Sequence, residues 1–344
     1  MSFSDKTALV TGGTGSFGRA VIAPLLASGV REIRIFSRDE YKQERMRIEM
    51  DEPRLRFMIG DVRDAGSVDA AMRGVDFVFH AAALKQVPSC DFFPMQAVLT
   101  NIVGSQNVID AAVRHFVGRV VCLSTDKAVY PINAMGMTKA LMEKVAQATA
   151  RQSAGSGTVV STVRYGNVLY SRGSVIPLFV RQMLEGKPVT VTDPSMTRFL
   201  LPLPDAIQLV LFAFVHGRQG DILVRKAPAC TVQALVNALG TLLNLTPDVR
   251  VIGMRHGEKI YETLATREEL RRADDFGDYY RIPMDARDLN YDKYFTEGDT
   301  GEAETEDYTS HNTMRLESPA VADLLRALPD IRSAIETRIA PGGV

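Results

Sequence analysis

The chain has 344 residues, of which 46% are hydrophobic and 24% charged, with a formal net charge of −1. That length suits one large core with a smaller lobe, at ~100–200 residues per domain. Near-neutral charge gives no electrostatic footprint for nucleic acid, and no apolar run approaches the ~18–20 residues that span a bilayer.

The N-terminal MSFSDKTALVTGG has no charged leader region and enters a strand almost at once. Cys90, Cys122 and Cys230 are widely spaced and odd in number. They fit neither a disulfide framework nor a zinc site, so a cytoplasmic protein without a bound metal is expected.

Apolar runs predict strands at Thr7–Thr11, Glu32–Phe36, Leu55–Ile59, Asp76–His80, Arg119–Ser124 and Thr158–Arg164. Helices are expected between them, including Phe17–Ser28, Gln96–His115 and Ala134–Ser153. Unbroken runs such as VDFVFHAA suit strands buried on both faces of a parallel sheet. The expected fold is α/β, a Rossmann-like doubly wound parallel sheet over residues 1–165, with parts of the later chain returning to it. Residues 166–344 are expected to form mainly a smaller α/β substrate lobe and a C-terminal tail.

The first strand leads into Gly12, Gly15 and Gly18, spaced G-x-x-G-x-x-G and opening a helix. Such glycines let backbone approach a pyrophosphate whose charge faces the helix N-terminal amides. The second strand ends at Ser37 and Arg38, with Lys42 one turn beyond. Cations with no carboxylate at the strand end suit the 2′-phosphate of NADP better than the free ribose of NAD, although Asp39 and Glu40 lie close. The alternative is that Arg38 and Lys42 are solvated charges at a helix start. Asp61, after the third strand, suits an adenine amino group, and Asp64 equally suits a helix cap. Ala81 and Ala82 offer small side chains where backbone passes a cofactor, whereas His80 reads as a hydrogen-bonded core histidine.

The fifth strand runs into Thr125-Asp126-Lys127, an acid–base cluster at the end of a central strand, where such sheets bind ligands. Met135 and Lys139 follow four residues apart on one helix face. A thioether has no proton to exchange. Beyond Tyr165, Ser171–Ser174 precedes an amphipathic helix, and DPSMTRF and RHGEK form two basic loop clusters suited to a diphosphate. Residues 297–307 hold six carboxylates and no cation, a solvated connector, and Pro319–Leu328 reads as a helix packed on a lobe or a neighbouring subunit.

TGGTGSFG, HAAALKQVP, LSTDKAVYPINAMGMTK, RYGNVLYSRGSVIP, DPSMTRF, RHGEKIYETL and SHNTMRL together resemble the extended short-chain dehydrogenase/reductases. The likeness is strongest to soluble UDP-N-acetylglucosamine 4,6-dehydratases of capsule and O-antigen synthesis, in the C5-inverting branch that carries Met where others carry Tyr. It implies oxidation at sugar C4, loss of water across C5–C6 and return of hydride to C6, on a tightly bound NADP regenerated each turnover. Lys127 is then the base at C5 and Asp126 the acid at the C6 oxygen, while Thr125 bonds the sugar near O4. Lys139 holds the nicotinamide ribose, and Met135 stands in the usual phenol position. Cofactor contacts are implied from Gly12, Thr14, Gly15, Ser16, Phe17, Gly18, Ser37, Arg38, Lys42, Asp61, Val62, Ala81, Ala82, Asn101, Ser124, Tyr165, Asn167 and Val168. Substrate contacts are implied from Lys85, Asn167, Arg172, Ser174, Arg198, Arg255 and Glu258. A homo-oligomer, dimer or hexamer, is expected. Two other readings stay open: a UDP-sugar 4-epimerase, and a non-catalytic NADP-binding regulator.

Overall fold

Strand β1 (Thr7–Thr11) is buried at every position, and β4 (Phe77–His80) likewise. The central position of both strands accounts for their unbroken apolar sequence. They pair in parallel, with Thr11 opposite His80, and β2 (Glu32–Ser37), β3 (Leu55–Ile59), β5 (Arg119–Leu123) and β6 (Val159–Arg164) continue the sheet on either side. The computed structural model describes residues 3–171, 173–285 and 306–339. Among these the main sheet has nine strands, ordered β3-β2-β1-β4-β5-β6 and then Ile222–Arg225, Tyr279–Ile282 and Asp274–Asp275. The last two run antiparallel at the edge. Strand order reverses between β1 and β4, the place where doubly wound sheets bind ligands beyond their C-terminal strand ends. The α/β fold expected from the sequence is the fold observed.

Two compact units divide the chain. One comprises Met1–Tyr165, Pro204–Lys226 and Leu264–Asp307, and the other Gly166–Leu203, Ala227–Thr263 and Tyr308–Val344. The second has its own core, where Ile176, Phe179, Leu239, Val321 and Leu325 pack. The helix expected near 319–328 spans Ser318–Arg326 and lends Val321 and Leu325 to that core. The acidic stretch falls mostly on 297–305, which lie outside the described residues.

One predicted helix differs in kind. The segment expected over Gln96–His115 is a short α-helix (Pro94–Ala97), a π-helix (Val98–Val103) and an α-helix (Gly104–Arg114). Such wide turns gather at functional sites, and this one contains Asn101. Among the described residues no helix is long and apolar enough to cross a membrane, and no cluster of His, Cys, Asp or Glu could hold a metal ion.

Candidate active site

The glycine loop after β1 separates into two structural glycines and one open one. Gly12 has φ +66°, and a Cβ there would lie 2.8 Å from the Ala82 backbone nitrogen. At Gly18 a Cβ would meet the Gly12 carbonyl oxygen at 2.5 Å. At Gly15 it would meet only that oxygen, at 3.1 Å. Gly15 is exposed and caps the helix Ser16–Ala27, whose first amides receive no side-chain cap. Open amides on a positive helix end fit a pyrophosphate, and Gly15 leaves backbone clear for its approach. Phe17 stacks on Tyr165 with ring centroids 4.9 Å apart.

Around the end of β2 the structure revises the sequence reading. Thr14 Oγ1 donates to Ser37 Oγ at 3.2 Å, and Gln43 Nε2 donates to the same hydroxyl and to the Ser37 carbonyl. Lys42 turns its ammonium to Asp39, whose carboxylate also accepts the Lys42 amide as a helix cap. Lys42 is therefore spent on the cap, leaving Arg38 as the half-exposed cation, 3.5 Å from Asp61. Asp61 receives two bonds from the Arg63 guanidinium and one from its amide. Those bonds outweigh burial and hold its carboxyl below the ordinary range, so it faces arginines where an adenine amino group was expected. Val62 is buried beside it, and Asp64 caps the next helix through the Gly66 and Ser67 amides.

His80 is the core histidine that the sequence suggested. Its Nδ1 lies 2.7 Å from Thr11 Oγ1 and its Nε2 2.8 Å from Ser105 Oγ. Ser105 gives its proton to the Asn101 carbonyl, so Nε2 donates and Nδ1 accepts from Thr11. Thr11 Oγ1 in turn accepts the Ala82 amide. This chain ties the glycine loop, the Ala81–Ala82 turn and the π-helix together. Burial, with the nearby Lys139 charge, drives the His80 pKa down to about 3 and keeps it neutral.

The acid–base cluster forms one turn at the end of β5. Asp126 is 1% exposed, and its Oδ1 accepts from Thr125 Oγ1 at 2.7 Å and Lys127 Nζ at 3.0 Å. Its Oδ2 is buried with no partner. Burial excludes the ordinary surface ion pair, worth ~0–1 kcal/mol. The turn is placed from both sides: the Asp126 amide donates to the Tyr165 carbonyl, and a Cβ on Gly136 would lie 2.3 Å from the Lys127 carbonyl oxygen. Lys139, 6% exposed, donates to the Leu123 carbonyl at 2.5 Å. Desolvation lowers its pKa to about 8, against the opposing pull of Cys122 and Glu143. Burial, and then the Asp126 charge, push the Tyr165 phenol up.

Three residues assigned to this site from sequence have other work. Met135 is buried in an apolar cluster with Cys90 and Ala97, bordered by Leu84, Val87 and Ala134, so its side chain belongs to packing instead of catalysis. Ser124 Oγ donates to Glu143 inside the protein, not toward a cofactor. Asn101 is buried, accepting from the Leu84 amide and donating to the Leu84 carbonyl and Thr138 Oγ1, which spends its side chain on the loop after β4. Glu143 and Arg164, which the sequence reading missed, form a buried ion pair that Glu269 completes. Carboxylate and guanidinium inside an apolar helix face and a buried strand were the available signal.

The second unit carries the other group of expected contacts. Asn167 Oδ1, Ser174 Oγ and Glu258 Oε2 are each buried without a hydrogen-bond partner. Buried polar atoms are normally paired, so these three, among the several unpartnered atoms of the described residues, have a bond to offer a ligand. Arg255 is half-exposed and 3.9 Å from Glu258. Arg198 is a correction: its guanidinium donates to the carbonyls of Thr197, Lys259 and Ile260, so it straps a loop instead of meeting substrate. Val168 bridges to Leu201. Lys85, in the first unit, is exposed, and Arg172 lies outside the described residues.

Comparison with known proteins places this geometry. The sequence pattern of the polysaccharide biosynthesis protein family matches residues 8–284, and that of its C-terminal region matches 285–332. A protein of Rickettsia rickettsii (strain Sheila Smith) named UDP-glucose 4-epimerase is 57% identical over 338 residues, covering 97% of this chain and 99% of the relative. Among solved structures, Pen from Bacillus thuringiensis is 34% identical, with a TM-score of 0.86 over 95% of this chain and 100% of that one. DesIV, a dTDP-glucose 4,6-dehydratase from Streptomyces venezuelae seen with NAD and TYD, is 28% identical, with a TM-score of 0.68 over 74% and 86%. The chain thus belongs to the polysaccharide biosynthesis protein family, within the extended short-chain dehydrogenase/reductases.

Proposed function

We propose that this enzyme dehydrates UDP-N-acetylglucosamine across C5–C6, inverting C5, to give a UDP-4-keto-6-deoxy sugar for surface polysaccharide. The observation that carries the reading is the pairing of buried Asp126 with part-exposed Lys127, beside a helix whose usual phenol position is an apolar Met135. Reversible hydride exchange at C4 alone needs one proton acceptor, whereas elimination needs a base at C5 and an acid at C6, which this pair supplies.

A nicotinamide cofactor, when bound, supplies the hydride chemistry at C4 and C6. The uncapped amides of Ser16 and Phe17 would hold its pyrophosphate, Lys139 its ribose, and Arg38 with the uncharged Ser37 a 2′-phosphate, which favours NADP. Asp126 takes the C4-hydroxyl proton on Oδ2, the oxygen that no protein donor occupies. Lys127, in its neutral form, removes the C5 proton. Asp126 passes its proton to the C6 oxygen, which leaves as water. Solvent delivers a proton to C5 from the face opposite Lys127, which inverts C5, and Lys127 gives its own proton up to solvent, so both groups end as they began. Thr125 orients Asp126 through its hydroxyl. In the second unit, Asn167, Ser174, Arg255 and Glu258 are assigned to the nucleotide-sugar.

A UDP-sugar 4-epimerase is the second reading, favoured by the names of the Rickettsia relatives. Incubating the purified chain with UDP-N-acetylglucosamine and trace NADP separates the two by mass spectrometry and proton NMR. Loss of one water supports dehydration, and the C5 coupling pattern then reports the configuration. Unchanged mass with an altered C4 configuration sinks dehydration in favour of epimerisation.

A further inference from the structure

We propose that Glu143 is the positioning residue of the acid–base site. Its buried carboxylate fixes the Thr125–Lys127 turn through Ser124 and acts as the counter-charge of Lys139. The inference deepens the reading above and rests on it for its kinetic readout only.

Ser124 immediately precedes the turn, and its Oγ donates to Glu143 Oε1 at 2.5 Å. Its amide is tied to the Val163 carbonyl at 2.8 Å, so the amide and the hydroxyl of Ser124 are both committed. Glu143 lies one helical turn beyond Lys139, on the same face. Arg164, at the end of β6, grips Glu143 with Nε at 3.1 Å and Nη2 at 2.6 Å, and reaches Glu269 and the Leu264 carbonyl with its remaining donors. The next residue along, Tyr165, accepts the Asp126 amide. Thus one carboxylate joins the elements that carry Asp126, Lys139 and Tyr165.

An apolar trio of similar volume would stabilise the same place at least as well, so stability alone does not call for charges here. Arg164 pairs with both carboxylates and Lys144 also acts on Glu269, while Glu143 acts on Lys139 as well. The groups that face Lys139 are His80 from β4, Cys122 from β5 and Glu143 from its own helix. His80 is held neutral and the Cys122 thiol is pushed up to about 12 by burial, so Glu143 is the charged one of the three.

The test uses Glu143→Gln, which keeps the shape and an acceptor for Ser124, and Ser124→Ala, which removes only the hydroxyl. The Lys139 side chain is titrated by NMR of ¹³Cε-labelled lysine, assigned with Lys139→Arg, and thermal melting and NADP affinity are measured in parallel. Glu143→Gln is expected to bind NADP, to titrate Lys139 at lower pH than the native chain, and to shift the basic limb of kcat the same way. Ser124→Ala is expected to lower kcat by about 10²-fold with KM little changed, because the turn is displaced, and to leave the Lys139 titration in place. An unmoved Lys139 titration in Glu143→Gln, or native kcat in Ser124→Ala, overturns the proposal. Should Glu143→Gln not fold, Glu143→Asp and Ser124→Ala decide. A native chain inactive on UDP-N-acetylglucosamine sinks the functional reading, while the lysine titration still tests the inference.

Discussion

The polar groups around the acid–base turn of the first unit largely answer one another, whereas three from the loops of the second are left open. Asp126, Lys139, Glu143, Arg164 and His80 are buried and bonded within the protein. Asn167, Ser174 and Glu258 keep buried atoms with no partner. Under the proposed function the difference is one of purpose. A group that moves protons has to be held in place and tuned before substrate arrives, since misplacement is costly in rate. A group that recognises substrate can leave its bond unmade until the ligand completes it. Asp126 has both traits, with Oδ1 held by the protein and Oδ2 open.

That contrast can be broken by substitution. The largest effect is expected from Asp126→Asn or Lys127→Ala: about 10²–10⁴-fold lower turnover with NADP affinity unchanged by fluorescence titration. Native turnover in either variant would remove the pair from the chemistry. Arg164→Met leaves Glu143 and Glu269 buried without their counter-ion, at about 3–5 kcal/mol in urea unfolding. A loss near zero would mean that water reaches the cluster. Met135→Tyr forces a larger, polar side chain into the cluster with Cys90 and Ala97. It is expected to cost about 1–3 kcal/mol and to bring no gain in rate, and a faster enzyme would show that the phenol reaches substrate.

The His80 contribution depends on pH in a fixed direction. The folded chain holds its pKa near 3 against the ordinary 6.5. Neutrality therefore contributes fully above pH 6.5 and is lost as pH falls from 6.5 toward 3, because the unfolded chain binds the extra proton. His80→Gln should lose less stability than the native chain between pH 7 and 5, measured by urea midpoint, and equal losses would contradict the assignment. The smallest effect belongs to the second unit. Ser174→Ala removes an unpaired hydroxyl, so the stability of the ligand-free chain should change by less than about 0.5 kcal/mol, while KM rises by a factor matching about 0.5–1.5 kcal/mol. A destabilised chain with unchanged KM would reverse the reading of the open atoms.

The sheet was legible because glycine spacing and apolar runs are local signals. All six strands expected up to residue 165 were placed within one residue of where they lie. The π-helix was not, since its apolar positions read as ordinary helical periodicity. Candidate residues were legible by type, their partners less so. Nothing local in DPSMTRF tells that Arg198 will spend its donors on carbonyls about sixty residues away. Ser124 and Asn101 were misread for the same reason: a short polar side chain at a strand end or on a helix face can turn inward or outward, and only packing decides. Lys42 was lost to a near neighbour, where the sequence showed Asp39 but not which charge would prevail.

The central claim is that Lys127, working with Asp126, exchanges the C5 proton of a nucleotide-sugar. Its direct test is solvent deuterium at C5 when UDP-N-acetylglucosamine is turned over in D₂O by the native chain and by Lys127→Ala. The account predicts one deuterium at C5 of a product that has lost water, and none from the variant. Deuterium incorporated by Lys127→Ala at the native rate, or a native product with C5 protium intact, would contradict it.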